Sequence, residues 1–273
     1  MRRSPLRLAI RYVLIVAAIV FFCFPLYWLF LMAFKTPDEV FAVPPVWWPS
    51  DWQLGTFLIV WRDNDLRAIW NTLIIASTST VVAMLLGTIA AYSIARFKTG
   101  GENLAVWIIS QRLIPPIVIV FPVFQMYVWA GLVDTFTGLV LLYAAFNLPY
   151  VIWMMRGYVE DVPIELEEAA LVDGCTRWQA LIRIIFPVIR AGFFATAVFT
   201  FIFACNEFIF GLVLTRTNVL TYPVLVSHYF GAQQTQWARV AAISLLGSLP
   251  VFLMVATAQR YLVRGISMGA VKG

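Results

Sequence analysis

Hydrophobic residues in this chain fall in long unbroken stretches, not in the alternating or three-and-four spacing of water-soluble elements. Charge-free runs cover Tyr12–Phe34, Ala68–Ala95, Leu113–Val133, Thr135–Met155 and Val240–Gln259, and Ala191–Thr215 is interrupted by Glu207 alone. A helix that crosses a bilayer needs about 20 mostly apolar residues, so each run predicts a span. The third run reaches back to Asn103 once Arg112 is admitted inside it. The expectation is an all-α membrane protein with six transmembrane helices, near 12–34, 69–95, 104–131, 136–156, 190–215 and 240–261, forming one domain over 1–273. Thr217–Ala238 is also charge-free, but Asn218, Tyr222-Pro223, His228, Gly231 and Gln233-Gln234-Thr235-Gln236 read as a loop.

Composition agrees with this pattern. Of 273 residues, 62% are hydrophobic and 12% charged, against about half and about a quarter in a soluble chain. The net charge of +5 is scattered over short loops and forms no basic stripe, which argues against a nucleic-acid partner. Three cysteines and one histidine suggest neither a disulfide framework nor a metal site. Arg2, Arg3, Arg7 and Arg11 before an apolar run resemble a signal peptide, but the run ends in Phe24-Pro25-Leu26-Tyr27-Trp28 without a small-residue cleavage site. An uncleaved first span is expected.

Charge fixes the expected orientation. Thirteen of the 19 Lys and Arg residues lie in the N-terminus, the 96–104 loop, the 156–190 loop and the tail from Arg260. Five lie in the opposite loops. The positive-inside bias puts both termini and the 156–190 segment in the cytosol. The outer loop 35–67 carries Trp47, Trp48, Trp52 and Trp61, which read as interfacial anchors or as a contact surface. Gly131 and Asp134 mark a very short outer turn between spans three and four.

The segment 160–187 stands out against the apolar background. Asp161-Val162-Pro163 reads as an N-cap followed by proline, and Glu165, Glu167 and Glu168 suit the positive end of a helix. Ala169 and Ala170 leave one face nearly flat; Asp173-Gly174 ends the helix and permits a reversal. Thr176 can cap a second, amphipathic helix that runs to Pro187. Two readings fit these residues equally: a loop lying on the lipid surface, or a compact helix that inserts into a partner's groove.

Glu168-Ala169-Ala170, Gly174, Ile184 and Pro187 stand at the spacings of the EAA loop, and on them the chain resembles the permease subunits of ATP-binding-cassette importers. It departs from that pattern at Cys175 and Phe186, where Ala and Leu are usual. Asn71-Thr72-Leu73, Ala91-Tyr92, Gly131-Leu132-Val133-Asp134-Thr135 and the tail Gly269-Ala270-Val271-Lys272-Gly273 extend the likeness to the carbohydrate branch, similar to MalG-type subunits of the maltose transporter family. The resemblance implies that Glu168, Ala169, Ala170, Asp173, Gly174, Ile184 and Pro187 couple to an ATPase. It implies that Gly269, Ala270 and Lys272 also reach that ATPase. It further implies a second homologous permease chain, an ATPase homodimer or heterodimer, a periplasmic or lipid-anchored solute-binding protein, and a place in the bacterial cytoplasmic (inner) membrane among lipid. In the maltose system the solute is held mainly by the other permease. The chain has no G-x-x-x-x-G-K-[ST] phosphate loop, so ATP and Mg are expected on the partner, with no cofactor and no catalytic residue here.

Arg112 and Glu207 are the charges expected inside spans, where such residues are functional candidates. They fit an interhelical ion pair or, with Asn147 and Asn206, a substrate path. Pro115, Pro116, Pro122 and Pro149 can bend spans three and four and open a cavity. The expected solute is a sugar, polyol or related hydroxylated molecule. The alternative from another class is an ion-coupled secondary transporter with Glu207 as relay carboxylate.

Overall fold

The computed structural model describes residues 5–101, 103–230 and 236–269. Among them every regular element is helical: α1 (Pro5–Met32), α2 (Pro37–Val40), α3 (Gly55–Arg62), α4 (Leu66–Phe97), α5 (Leu104–Ser110), α6 (Pro116–Ala130), α7 (Phe136–Glu160), α8 (Ile164–Val172), α9 (Arg177–Ala180), α10 (Phe186–Cys205), α11 (Ile209–Leu214), α12 (Tyr222–His228) and α13 (Trp237–Gly269). A 3-10 turn, Gln111–Leu113, follows α5, and a π-helical stretch, Leu181–Ile185, joins α9 to α10.

Among the described residues five stretches are long and apolar enough to cross a bilayer, Leu8–Met32, Leu66–Phe97, Phe136–Glu160, Arg177–Cys205 and Trp237–Gln259. The expected third span is not straight: Leu104–Leu113 and Pro116–Ala130 meet at 93°. Pro115 supplies no N–H and excludes the helical region for Ile114, which turns extended at ψ 119°. The fifth span also differs from expectation. It begins at Arg177 and ends at Cys205; Asn206–Phe208 break the helix before α11. The stretch read as a loop beyond Thr217 contains the short helix α12.

By backbone packing the chain divides into two compact units, Met1–Leu66 with Leu225–Leu249, and Arg67–Val224 with Pro250–Gly273. In the second unit, α4 presents a stripe of small residues, Ser79, Ala83, Gly87 and Ala91, all buried. Small residues let membrane helices approach closely. A Cβ on Gly87 would lie 2.5 Å from Val151 Cγ1, so α4 and α7 touch there along the backbone. The apolar cores that result include two large ones. One gathers Tyr92, Met155, Val159, Val162, Leu181 and Ile185 around the α7–α10 connection; the other gathers Ile75, Leu139, Tyr143, Phe201, Phe210 and Leu214.

In the first unit, Ala33, Val60, Ala241 and Ala242 form a small core. Arg239 bridges Asp63 at 2.7 Å and Asp65 at 2.8 Å, and the Tyr229 hydroxyl donates to Asp65 at 2.7 Å. Thr36 and Glu39 form a capping box on α2. The Ser50 hydroxyl and N–H hold the Glu39 carboxyl down to about 2, with the Thr36 N–H adding to this. Most of α1 is unpacked and apolar: none of its most hydrophobic window is buried, a surface suited to lipid.

Candidate functional site

The connection between α7 and α10 folds into an elbow whose two faces differ. Asp161 is the C-cap of α7, and Pro163, not Asp161, occupies the N-cap position of α8. The helix ends at Asp173, and Gly174 takes φ +87°. The N–H groups of Gly174 and Cys175 turn back to the carbonyls of Leu171 and Ala170 at 3.1 and 2.9 Å, a pairing that satisfies the last orphan carbonyls of a helix. Thr176 and Gln179 form a capping box that starts α9. The π-helical stretch lies just ahead of Pro187. A proline ring would clash with the carbonyl four residues back in a regular helix; the wide turn relieves this, and the chain runs unbroken into the span.

The inner face of the elbow is fastened to the end of α4. Glu167 is buried, with an oxygen 2.9 Å from Arg96 Nε, an ion contact whose angles fall short of a hydrogen bond. The Tyr92 hydroxyl donates to the other carboxylate oxygen. Arg96 Nη2 donates to the Val162 carbonyl at 2.8 Å, and the Arg177 guanidinium stacks 4.7 Å from the Phe97 ring centre. Separating a buried pair of this kind by deleting one partner costs about 3–5 kcal/mol, so the elbow and α4 behave as one body. The outer face is bare. Ile164, Leu166, Glu168, Ala169, Asp173, Gly174 and Trp178 are exposed, and Val172 is 87% exposed.

Of the residues expected to couple, Glu168, Ala169, Asp173, Gly174 and Pro187 face outward, whereas Ala170 is buried and Ile184 is half-buried. The expected set therefore divides between the two faces. Glu167 and its partners Tyr92 and Arg96 were not singled out as site residues. Glu167 sits among three acidic residues that all suit a helix start, and nothing local marks which one turns inward. Gly269 ends α13; Ala270 and Lys272 lie outside the described residues.

A second constellation lies within the helices. Arg112, Asn147, Asn206 and Glu207, together with Tyr143, Phe146, Phe203 and Phe210, line a cavity of about 230 Å³. The expected ion pair is not made. Arg112 Nη1 donates to Asn147 Oδ1 at 3.1 Å and to the Phe146 carbonyl at 3.2 Å. Its guanidinium carbon stands 4.8 Å from the Phe203 ring centre, 5.5 Å from Tyr150 and 5.6 Å from Phe146. Glu207 is not inside a helix but in the break between α10 and α11, where its carboxylate accepts the Phe210 N–H at 3.1 Å. Asn206 turns its amide back to the Ile202 carbonyl at 2.8 Å, and Asn147 donates to the Tyr143 carbonyl at 3.0 Å. All four candidates thus meet in one cavity, with each charge held by a neighbour other than its opposite.

Asp134, at φ 58° in the turn before α7, fastens the chain after α11. Its carboxylate accepts the N–H groups of Arg216, Asn218 and Val219 at 2.9–3.0 Å and of Thr217 at 3.3 Å. Partial burial pushes its carboxyl upward, but the four N–H donors outweigh that and hold it below the ordinary value. The sequence marked Asp134 only as a turn residue, since its partners lie far along the chain.

Residues 83–268 match the family model described as binding-protein-dependent transport system inner membrane component. The diacetylchitobiose uptake system permease protein DasC of Streptomyces coelicolor is 32% identical over 264 residues, covering 94% of this chain and 96% of that protein. The trehalose/maltose transport system permease protein MalG of Thermococcus litoralis is 31% identical over 272 residues, covering 96% and 97%. Among solved structures, a chain of a bacterial ABC transporter involved in the import of the acidic polysaccharide alginate superposes with a TM-score of 0.76 at 21% identity, covering 96% of this chain and 98% of that one. That likeness is one of fold.

Proposed function

This chain belongs to the family of binding-protein-dependent transport system inner membrane components, and from that premise we propose that it carries a sugar or similar hydroxylated solute inward, driven by an ATPase docked on the outer face of the elbow. It is a multi-pass inner-membrane permease subunit, not an enzyme. The ion-coupled alternative finds no support in its relatives. The sugar class is supported by the substrates named for the relatives from Streptomyces and Thermococcus.

The observation that carries the reading is the division of α8 and α9 into an anchored and a bare face. Glu167 ties the elbow to α4, while Val172 and Trp178 stand exposed on the other side. A push on the bare face is transmitted to α4 and α7, because the Arg96–Glu167 contact and the Val162–Leu181–Ile185 core resist separation. The positive-inside bias supports a cytosolic elbow and cytosolic termini. ATP and Mg belong to the docked ATPase pair. A second permease chain completes the pathway, and a solute-binding protein delivers from the opposite side. Glu168, Ala169, Asp173 and Gly174 are the proposed contact residues, with Gly269 at the end of α13 as a further approach to the ATPase.

Co-expression with a partner permease and ATPase from the same organism, followed by gentle purification and reconstitution, tests this. The ATPase is expected to co-elute and to drive uptake of a sugar; Gly174→Val is expected to abolish uptake in a chain that still reaches the membrane. Undiminished ATP-driven uptake in that variant would contradict the coupling role.

A further inference from the structure

We propose that the cavity at Arg112, Asn147, Asn206 and Glu207 is a binding station, on this chain itself, for one ring of a neutral polyhydroxylated solute. The proposal deepens the importer reading and rests on it.

Three observations converge. First, both charges sit at helix discontinuities. Arg112 lies in the 3-10 turn ahead of the 93° bend, and Glu207 lies in the break between α10 and α11. Irregular backbone at membrane depth is tolerated where it is buried in protein or lines a cavity, and broken helices form the solute sites of other transporters. Tyr143 braces the second break, its hydroxyl donating to the Glu207 carbonyl at 3.4 Å.

Second, the opposite charges share the cavity without satisfying each other. Both hydrogen bonds of Arg112 to described residues leave from Nη1. A guanidinium has five N–H donors, so Nη2 and Nε remain available. The Glu207 carboxylate is met by the backbone N–H groups of Phe210 and Ile209, whereas a carboxylate has about four acceptor sites. A hydroxyl group both accepts and donates. A polyol can therefore accept from Arg112 and donate to Glu207 in the same pose. An anionic ligand that met Arg112 would face the Glu207 carboxylate, and a cationic ligand at Glu207 would face the guanidinium.

Third, shape and lining suit one ring. The cavity of about 230 Å³ is smaller than the roughly 300–1,000 Å³ of a drug-sized pocket. Phe146, Phe203 and Phe210 offer apolar faces against which the C–H face of a sugar ring can lie. Asn147 acts as a positioning residue: its Oδ1 holds the guanidinium, and its amide is fixed to the Tyr143 carbonyl.

The test uses the purified complex of both permease chains and the ATPase, without the binding protein, in lipid nanodiscs. Equilibrium binding is measured with radiolabelled glucose as the neutral ring and glucuronate as the anionic ring of matching size. Glucose is expected to bind at millimolar concentration and glucuronate more weakly. Glu207→Gln keeps an acceptor for the Phe210 N–H, so the fold is preserved. It is expected to weaken glucose binding about tenfold and to narrow or reverse the gap to glucuronate. Phe203→Leu keeps apolar bulk and is expected to weaken binding of both sugars while leaving their ratio unchanged. ATPase co-elution and ATP-driven uptake, read in the same preparation, report on the importer reading separately. With those intact, no glucose binding, tighter glucuronate binding to the unaltered chain, or glucose binding indifferent to Glu207→Gln would each overturn the proposal.

Discussion

Two arginine–glutamate sets lie in the same compact unit and are built in opposite ways. At the elbow, Arg96 and Glu167 touch at 2.9 Å and both are buried. In the cavity, Arg112 and Glu207 face one space, but each bonds to something else: Arg112 to Asn147 and the Phe146 carbonyl, Glu207 to the Phe210 N–H. Direct contact between the buried charges makes the first set a mechanical joint between α8 and α4. Separation leaves the second set with spare donors and acceptors, which suits a ligand that comes and goes. The same residue types thus serve rigidity in one place and reception in the other, and distance decides which.

The comparison breaks first at Glu167. Glu167→Ala leaves Arg96 unpaired in a buried site and is expected to destabilise the chain by about 3–5 kcal/mol, read as a fall in the midpoint of thermal unfolding in detergent. Glu207→Ala, which faces the cavity and leaves Arg112 with its Asn147 and Phe146 partners, is expected to cost much less. A milder Glu207 melting loss than Glu167 is the expected order, and the reverse order would dissolve the distinction. A double-mutant cycle sharpens it. The pair Arg96→Met with Glu167→Leu is expected to show a coupling of about 1–3 kcal/mol, and the pair Arg112→Met with Glu207→Leu, at residues that face each other across the cavity without touching, a smaller one.

How much of this was legible in the sequence follows from where each signal resides. The apolar runs and the positive-inside asymmetry are carried by whole segments, so α1, α4, α7 and α13 were evident. Pro115-Pro116 announced a break, but its 93° angle depends on packing that no local pattern encodes. The elbow stood out because capping, acidic and glycine signals cluster within it, and Gly174 takes the left-handed conformation its place required. The inward turn of Glu167 depends on Tyr92 and Arg96, far back in the chain, where Arg96 looked like one more basic loop residue. The break at Asn206–Phe208 was hidden because the surrounding residues are as apolar as an unbroken span. Of the two readings open for Arg112 and Glu207, the direct pair is not made for the same reason: both side chains leave from breaks in their helices, where straight-helix geometry does not apply.

A smaller effect is expected from Tyr92→Phe, which removes one hydrogen bond to Glu167 while leaving the ion contact. About 1 kcal/mol of stability should be lost, measurable by the same melts, with uptake largely retained. The smallest effect is that of Asp134. Its folded-state carboxyl titrates below the unfolded value of about 3.9. Its contribution is therefore present above that unfolded value and is lost as pH falls through the lower folded value. Hydrogen exchange at residues 216–219, corrected for intrinsic rates, should stay flat from pH 7 to 5 and accelerate only below about 4. Asp134→Asn should remove that dependence.

The division of the elbow into an anchored and a bare face is tested most directly by cysteine accessibility. In a chain with Cys23, Cys175 and Cys205 replaced by serine, Val172→Cys and Ala170→Cys are treated with a maleimide before and after the ATPase is added to the permease pair. Val172 is 87% exposed and Ala170 is 6% exposed. Rapid labelling at position 172 that the ATPase suppresses, with position 170 unreactive throughout, is the expected result. Unchanged labelling at position 172 in a complex that still hydrolyses ATP and imports solute would be the contradiction.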